Sequence, residues 1–113
     1  DGPTAGPASL AGLEIAKAQS GVEARLMIGE RKPDLLILDL MMPGMNGYEV
    51  CSKLRSNPGT RNIRIVAISG DHDPIVRQQI LEKGADLFFN KPIDLEYFRS
   101  HCLELLNLKP VDA

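Results

Sequence analysis

Two short apolar runs constrain this chain more than any other feature. Asp34-Leu-Leu-Ile-Leu-Asp39 and Ile63-Arg-Ile-Val-Ala-Ile-Ser69 are nearly unbroken in apolarity, and each ends on a polar residue. Runs this short and this apolar fit strands covered on both faces, as in a parallel sheet flanked by helices. A third run, Asp86-Leu-Phe-Phe-Asn90, stops against Lys91-Pro92, and a weaker fourth, Leu13-Glu-Ile-Ala-Lys-Ala18, alternates.

Helical spacing fills the intervals. Ser20, with Glu23 three residues on, reads as a capping box for a helix reaching about Lys32. Residues 47–56 turn Tyr48, Val50, Cys51 and Leu54 towards one side. Asp73-Pro74 is a cap followed by proline in the first turn, and that helix offers Val76 and Ile80 before stopping at Gly84. Asp94 caps a last helix carrying Leu95, Phe98, Cys102, Leu105 and Leu106, which Lys109-Pro110 ends. Strands alternating with such helices predict a doubly wound α/β fold with a parallel sheet.

A length of 113 residues suits one domain, and 43% apolar residues with 25% charged is an ordinary globular balance. Net charge is −2 with scattered basic residues, so direct nucleic-acid binding is not expected. No run is long enough to cross a bilayer and no leader pattern opens the chain, so a cytoplasmic location without membrane contact is expected. Cys51 and Cys102 are too far apart and too few for a zinc or disulfide framework, and read as buried thiols. Residues 1–12, rich in Gly, Pro and small side chains, read as a linker, an appended remnant or a residual first helix; 13–107 is the folded domain and 108–113 a tail.

In doubly wound sheets the working site lies beyond the carboxyl ends of the strands, which here are Asp39, Ser69 and Lys91. Asp is disfavoured in strands and costly to bury, so its place at a strand end is informative. A half-exposed carboxylate there can attack phosphorus, a hydroxyl can donate to a phosphoryl oxygen, and a lysine can neutralise the charge. Singly, each has a duller explanation, as a cap, a loop opening or a solvated side chain. Their joint placement at three strand ends favours the functional reading.

These segments resemble the receiver domains of bacterial two-component response regulators. Leu36-Ile-Leu-Asp39-Leu-Met-Met-Pro43-Gly-Met-Asn-Gly47 resembles their phosphorylation strand and loop, and Val66-Ala-Ile-Ser69-Gly70 their switch strand. Gly84-Ala-Asp86-Leu-Phe-Phe-Asn-Lys91-Pro92 resembles their final strand, and Ser20-Gly-Val-Glu-Ala24 the start of their second helix. The resemblance implies a flavodoxin-like sheet of order 2-1-3-4-5. It makes Asp39 the phosphoacceptor, Ser69 the hydroxyl that turns inward, Lys91 the site cation and Phe88 the switching aromatic. Asp39 and the Met41 carbonyl would be ligands of Mg²⁺, and Lys91–Pro92 would be cis. The implied partners are a sensor histidine kinase or phosphotransfer protein, with an output domain or homodimer partner also in view. Phe88 and Phe89 equally admit plain core packing.

The pattern departs at its start. The family's first strand, its acidic metal-binding pair and most of its first helix have no counterpart before residue 13, where Asp1 alone could be a trace of the pair. Loss of a central strand would split the sheet. Preceding residues of a longer protein, a strand swapped from a second chain, or a degenerate domain would each account for it. The alternative function is therefore a receiver-like interaction module that is not phosphorylated. A phosphatase-like hydrolase with a strand-end Asp needs a second acid two residues on, where this chain has Met41. Asp71-His72-Asp73 is a poor metal site, since adjacent side chains rarely converge and Asp73 serves as a cap. His101 is expected to face solvent or a partner.

Overall fold

A computed structural model of the chain describes residues 6–10, 13–18, 33–41 and 46–107. They form a five-stranded sheet and three helices: β1 (Gly6–Leu10), β2 (Leu13–Ala18), β3 (Leu35–Asp39), α1 (Gly47–Ser56), β4 (Arg64–Ser69), α2 (Pro74–Glu82), β5 (Leu87–Asn90) and α3 (Leu95–Leu105). β2 to β5 are mutually parallel neighbours. The expected α/β class is the one observed. The Ser20 helix, Asp1, residues 42–45 and the tail 108–113 lie outside the described residues.

Every position of β3 is apolar up to Asp39 because both faces are covered. Leu36 and Leu38 pack with Ile65 and Ala67 beneath Cys51 and Leu54 of α1 and Ile80 of α2. On the opposite face Leu35 and Val66 meet Cys102, with Ile37, Leu87, Phe89 and Phe98 closing around them. Burial of both cysteines raises their thiols to about 11. They are free thiols, as the sequence suggested. Among the described residues no helix is long and apolar enough to cross a membrane.

Helix starts follow side-chain chemistry. Asn46 Oδ1 accepts from the amides of Tyr48 and Glu49, Asp73 Oδ1 from Ile75, and Asp94 Oδ1 from Glu96 and Tyr97. Gly84, which follows α2, has φ +117°, a conformation that costs other residues energy. Leu95, expected on the apolar side of α3, is 76% exposed instead. It occupies the first turn, just past the cap, before the helix reaches the sheet. Leu103, not foreseen, is buried in its stead.

Two expectations are corrected at the amino end. The sheet is not split and does not run 2-1-3-4-5. β2 pairs directly with β3, from Ile15↔Leu35 to Ala18↔Leu38, and the order is β1-β2-β3-β4-β5. A buried strand edge needs partners for its amides and carbonyls, and β2 supplies them. Gly6–Leu10, expected within a linker or helix remnant, is a strand paired antiparallel to β2. Strand pairing draws on backbone groups that every residue except proline carries in full.

Candidate functional site

The parallel register fixes which strand ends meet. Asp39 stands opposite Ile68, and Ser69 opposite Asn90, so β3, β4 and β5 finish side by side. Lys91 follows directly, its amide donating to the Ser69 carbonyl at 2.9 Å. Leu40 continues the ladder by donating to Ile68. Thus the three residues singled out from sequence are carried to one edge of the sheet.

Lys91 Nζ lies 2.7 Å from Asp39 Oδ2, a charge-assisted contact across the end of β4. The other carboxylate oxygen, Oδ1, accepts from the Met41 amide at 3.0 Å, which turns the chain sharply after β3. The Asp39 side chain is 15% exposed and that of Lys91 44%. The carboxylate therefore opens narrowly to solvent, while the ammonium stem lies across the rim. Ser69 is fully buried, and its Oγ accepts from the Asp71 amide at 3.0 Å. The Lys91–Pro92 bond is cis, as expected.

Phe88 and Phe89 diverge because neighbours on a strand point to opposite faces. Phe88 is half-buried against the α1–α2 side of the sheet. Phe89 packs on α3, with ring centroids 5.0 Å from Phe98 and 5.9 Å from Tyr97. His101, expected to face outward, is half-buried in that cluster, 4.1 Å from the Tyr97 ring, with Nδ1 bonded to the Tyr97 carbonyl.

A small divalent cation needs one or two carboxylates together with waters and phosphate oxygens. The described residues supply one carboxylate, Asp39, and beside it the Met41 main chain. Among the described residues no group of three metal-ligating side chains is gathered. That donor set is at the lower end of what such a cation accepts. In the Asp71-His72-Asp73 loop, Asp71 accepts from the Asp73 amide, Asp73 caps α2 and His72 turns to the Lys91 carbonyl.

Two polar groups went unnoticed in the sequence. Asn90 Nδ2 donates to the Ser69 and Asp71 carbonyls. An Asn ending a strand before Lys-Pro was the available signal, since Asn is disfavoured in strands without a compensating bond. Arg55, from the last turn of α1, donates to the Gly84, Arg61 and Ile63 carbonyls and pairs with Asp86 Oδ2 at 2.8 Å. The same Asp86 oxygen accepts from the Ile65 amide, so one carboxylate joins α1, β4 and the approach to β5.

The family model of the response regulator receiver domain matches residues 8–102. Response regulator PleD of Caulobacter vibrioides is 44% identical over 81 residues, covering 72% of this chain and 18% of that protein. Response regulator MprA of Mycobacterium bovis is 38% identical over 106 residues, covering 93% of this chain and 45% of that protein. The chain thus spans less than half the length of either of these curated relatives. The crystal structure of the signal receiver domain of a DNA binding response regulator protein from Colwellia psychrerythraea 34H matches with a TM-score of 0.74 and 31% identity, covering 80% of this chain and 73% of that one. With these likenesses matching its α/β architecture, the chain belongs to the response regulator receiver domain family.

Proposed function

We propose that this domain accepts a phosphoryl group on Asp39 from a phosphohistidine of a sensor kinase or phosphotransfer protein, and signals by a change of surface shape. The observation that carries this reading is the 2.7 Å contact of Lys91 Nζ with Asp39 Oδ2 at the shared strand edge. A carboxylate oxygen of Asp39 attacks phosphorus, the P–N bond breaks, and the imidazole leaves with the electron pair. The product is an acyl phosphate. Such transfers depend mainly on positioning and on neutralising charge, which the Lys91 ammonium provides before and after the step. The phosphoryl group adds a charge of about −1.5 to −2 and new acceptor oxygens, towards which the Ser69 hydroxyl turns. Phe88, on the neighbouring strand, then shifts between its half-buried place and a more exposed one.

Mg²⁺ would be held by Asp39 and the Met41 carbonyl, and would neutralise phosphoryl oxygens. The exposed Met41 cannot exchange protons, which supports a signalling acceptor over a hydrolase. A cytoplasmic location follows from such a donor, and an output domain or homodimer partner would read the change.

The test is incubation with Mg²⁺ and acetyl phosphate or beryllofluoride, read by mass and by amide spectra. The wild type gains one phosphoryl group and Asp39→Asn does not. No change in either protein would instead support an interaction module that never carries phosphate.

A further inference from the structure

The loop joining β4 to α2 is fastened to the end of β5 in both directions. From β5, Asn90 Nδ2 donates to the Ser69 carbonyl at 3.2 Å and to the Asp71 carbonyl at 2.8 Å. From the loop, His72 Nε2 reaches the Lys91 carbonyl at 2.8 Å. A carbonyl only accepts, so the ring carries hydrogen on Nε2. The main-chain bond from Lys91 to Ser69 belongs to any such strand pair. The side-chain bonds are extra, and depend on this chain having Asn at 90 and His at 72.

We propose that Asn90 and His72 are positioning residues, a two-way clasp that holds the switch loop in its unphosphorylated setting. The inference rests on the reading of Asp39 and Ser69 given above. Ser69 Oγ is engaged by the Asp71 amide at 3.0 Å. For the hydroxyl to turn to a phosphoryl oxygen on Asp39, the stretch from Ser69 to Asp71 has to yield. Asn90 grips a carbonyl at each end of that stretch, and His72 pins the next residue. Bonds made in one loop setting and lost in the other bias the equilibrium towards the first. The clasp therefore lowers the apparent affinity for the phosphoryl group or its mimic, and sets how readily the domain switches.

The test is titration of the full chain with beryllofluoride in Mg²⁺, followed by the amide signals of Gly70 to Asp73. His72→Phe keeps a ring of similar shape without the donor, and is expected to bind about threefold more tightly, the effect of one exposed hydrogen bond. Asn90→Ala loses two bonds and is expected to bind about tenfold more tightly. Asn90→Asp keeps the size but turns acceptors towards two carbonyls, and is expected to gain at least as much. Unliganded variants show faster amide exchange in the loop. A role in stability alone would lower melting temperature without moving affinity, and a preorganising role would weaken binding; either result overturns the clasp. A wild type that gives no response removes the phosphoacceptor reading itself, and the clasp with it. His72 is exposed, so its variant tests the idea even if the Asn90 variants fail to fold.

Discussion

Lys91 Nζ meets Asp39 Oδ2 at 2.7 Å although 52 positions separate the two residues in the chain. The contact exists because β4 lies between β3 and β5 in register, bringing both ends to one edge. Removing the cation should act on chemistry more than on folding. Lys91→Met is expected to slow labelling by acetyl phosphate about 100-fold, the scale of a lost charge-stabilising donor. Because the lysine is nearly half exposed, the pair contributes only about 0–1 kcal/mol to stability. Labelling rates and melting curves of the same variant check both statements.

Ser69 separates acceptance of the phosphoryl group from response to it. Ser69→Ala removes a fully buried hydroxyl and leaves the Asp71 amide without its acceptor, at about 1 kcal/mol. The variant should still gain mass from acetyl phosphate, while the amide shifts of the β4–α2 loop on adding beryllofluoride shrink. Mass spectrometry and amide spectra on one sample are sufficient.

Arg55 staples four groups of the described residues together. Its fork engages three carbonyls and the Asp86 carboxylate in a setting less than a quarter exposed. Arg55→Ala is expected to cost about 2–4 kcal/mol, since the carbonyls lose donors and Asp86 keeps a half-buried charge. Arg55→Lys should recover only part of this, because one ammonium cannot span the same acceptors. Urea unfolding of the two variants checks the ordering.

Gly84 combines two demands. Its φ of +117° penalises a side chain, and an added Cβ would stand 2.5 Å from Arg55 Cγ. Gly84→Ala is expected to destabilise by about 1–2 kcal/mol. If displacement of Arg55 contributes, the loss will be smaller in an Arg55→Ala background, which a double-mutant cycle measures.

The buried thiols predict an alkaline limit to stability. Burial pushes the Cys51 and Cys102 thiols up to about 11 from the ordinary thiol value of 9.0. The folded state thus holds these protons more tightly than the unfolded state. Their contribution is complete below pH 9 and is lost as pH rises from 9 to 11. Urea midpoints should fall over that window, and fall less in the Cys51→Ala/Cys102→Ala double variant. Both thiols should also resist alkylation at pH 8 until the chain is unfolded.

Local signals were enough for much of this protein. β3, β4 and β5 are legible as short apolar runs, because a strand covered on both faces must be apolar at every step. Asp73 and Asp94 mark helix starts because their carboxylates accept from the first free amides. Asp39, Ser69 and Lys91 stand out because polar residues closing apolar strands need a reason to be there. What depends on contacts between distant segments was not legible. Nothing local says that β2 pairs with β3, or that Gly6–Leu10 adds a strand, because backbone groups pair with little regard to side-chain type. Nothing local tells Phe88 from Phe89, since the two differ only in the face that the register assigns them. The clasp of Asn90 and His72 and the Arg55–Asp86 staple likewise arise only when the strands stand in register, because each bond joins groups that the chain itself keeps 19 to 31 residues apart.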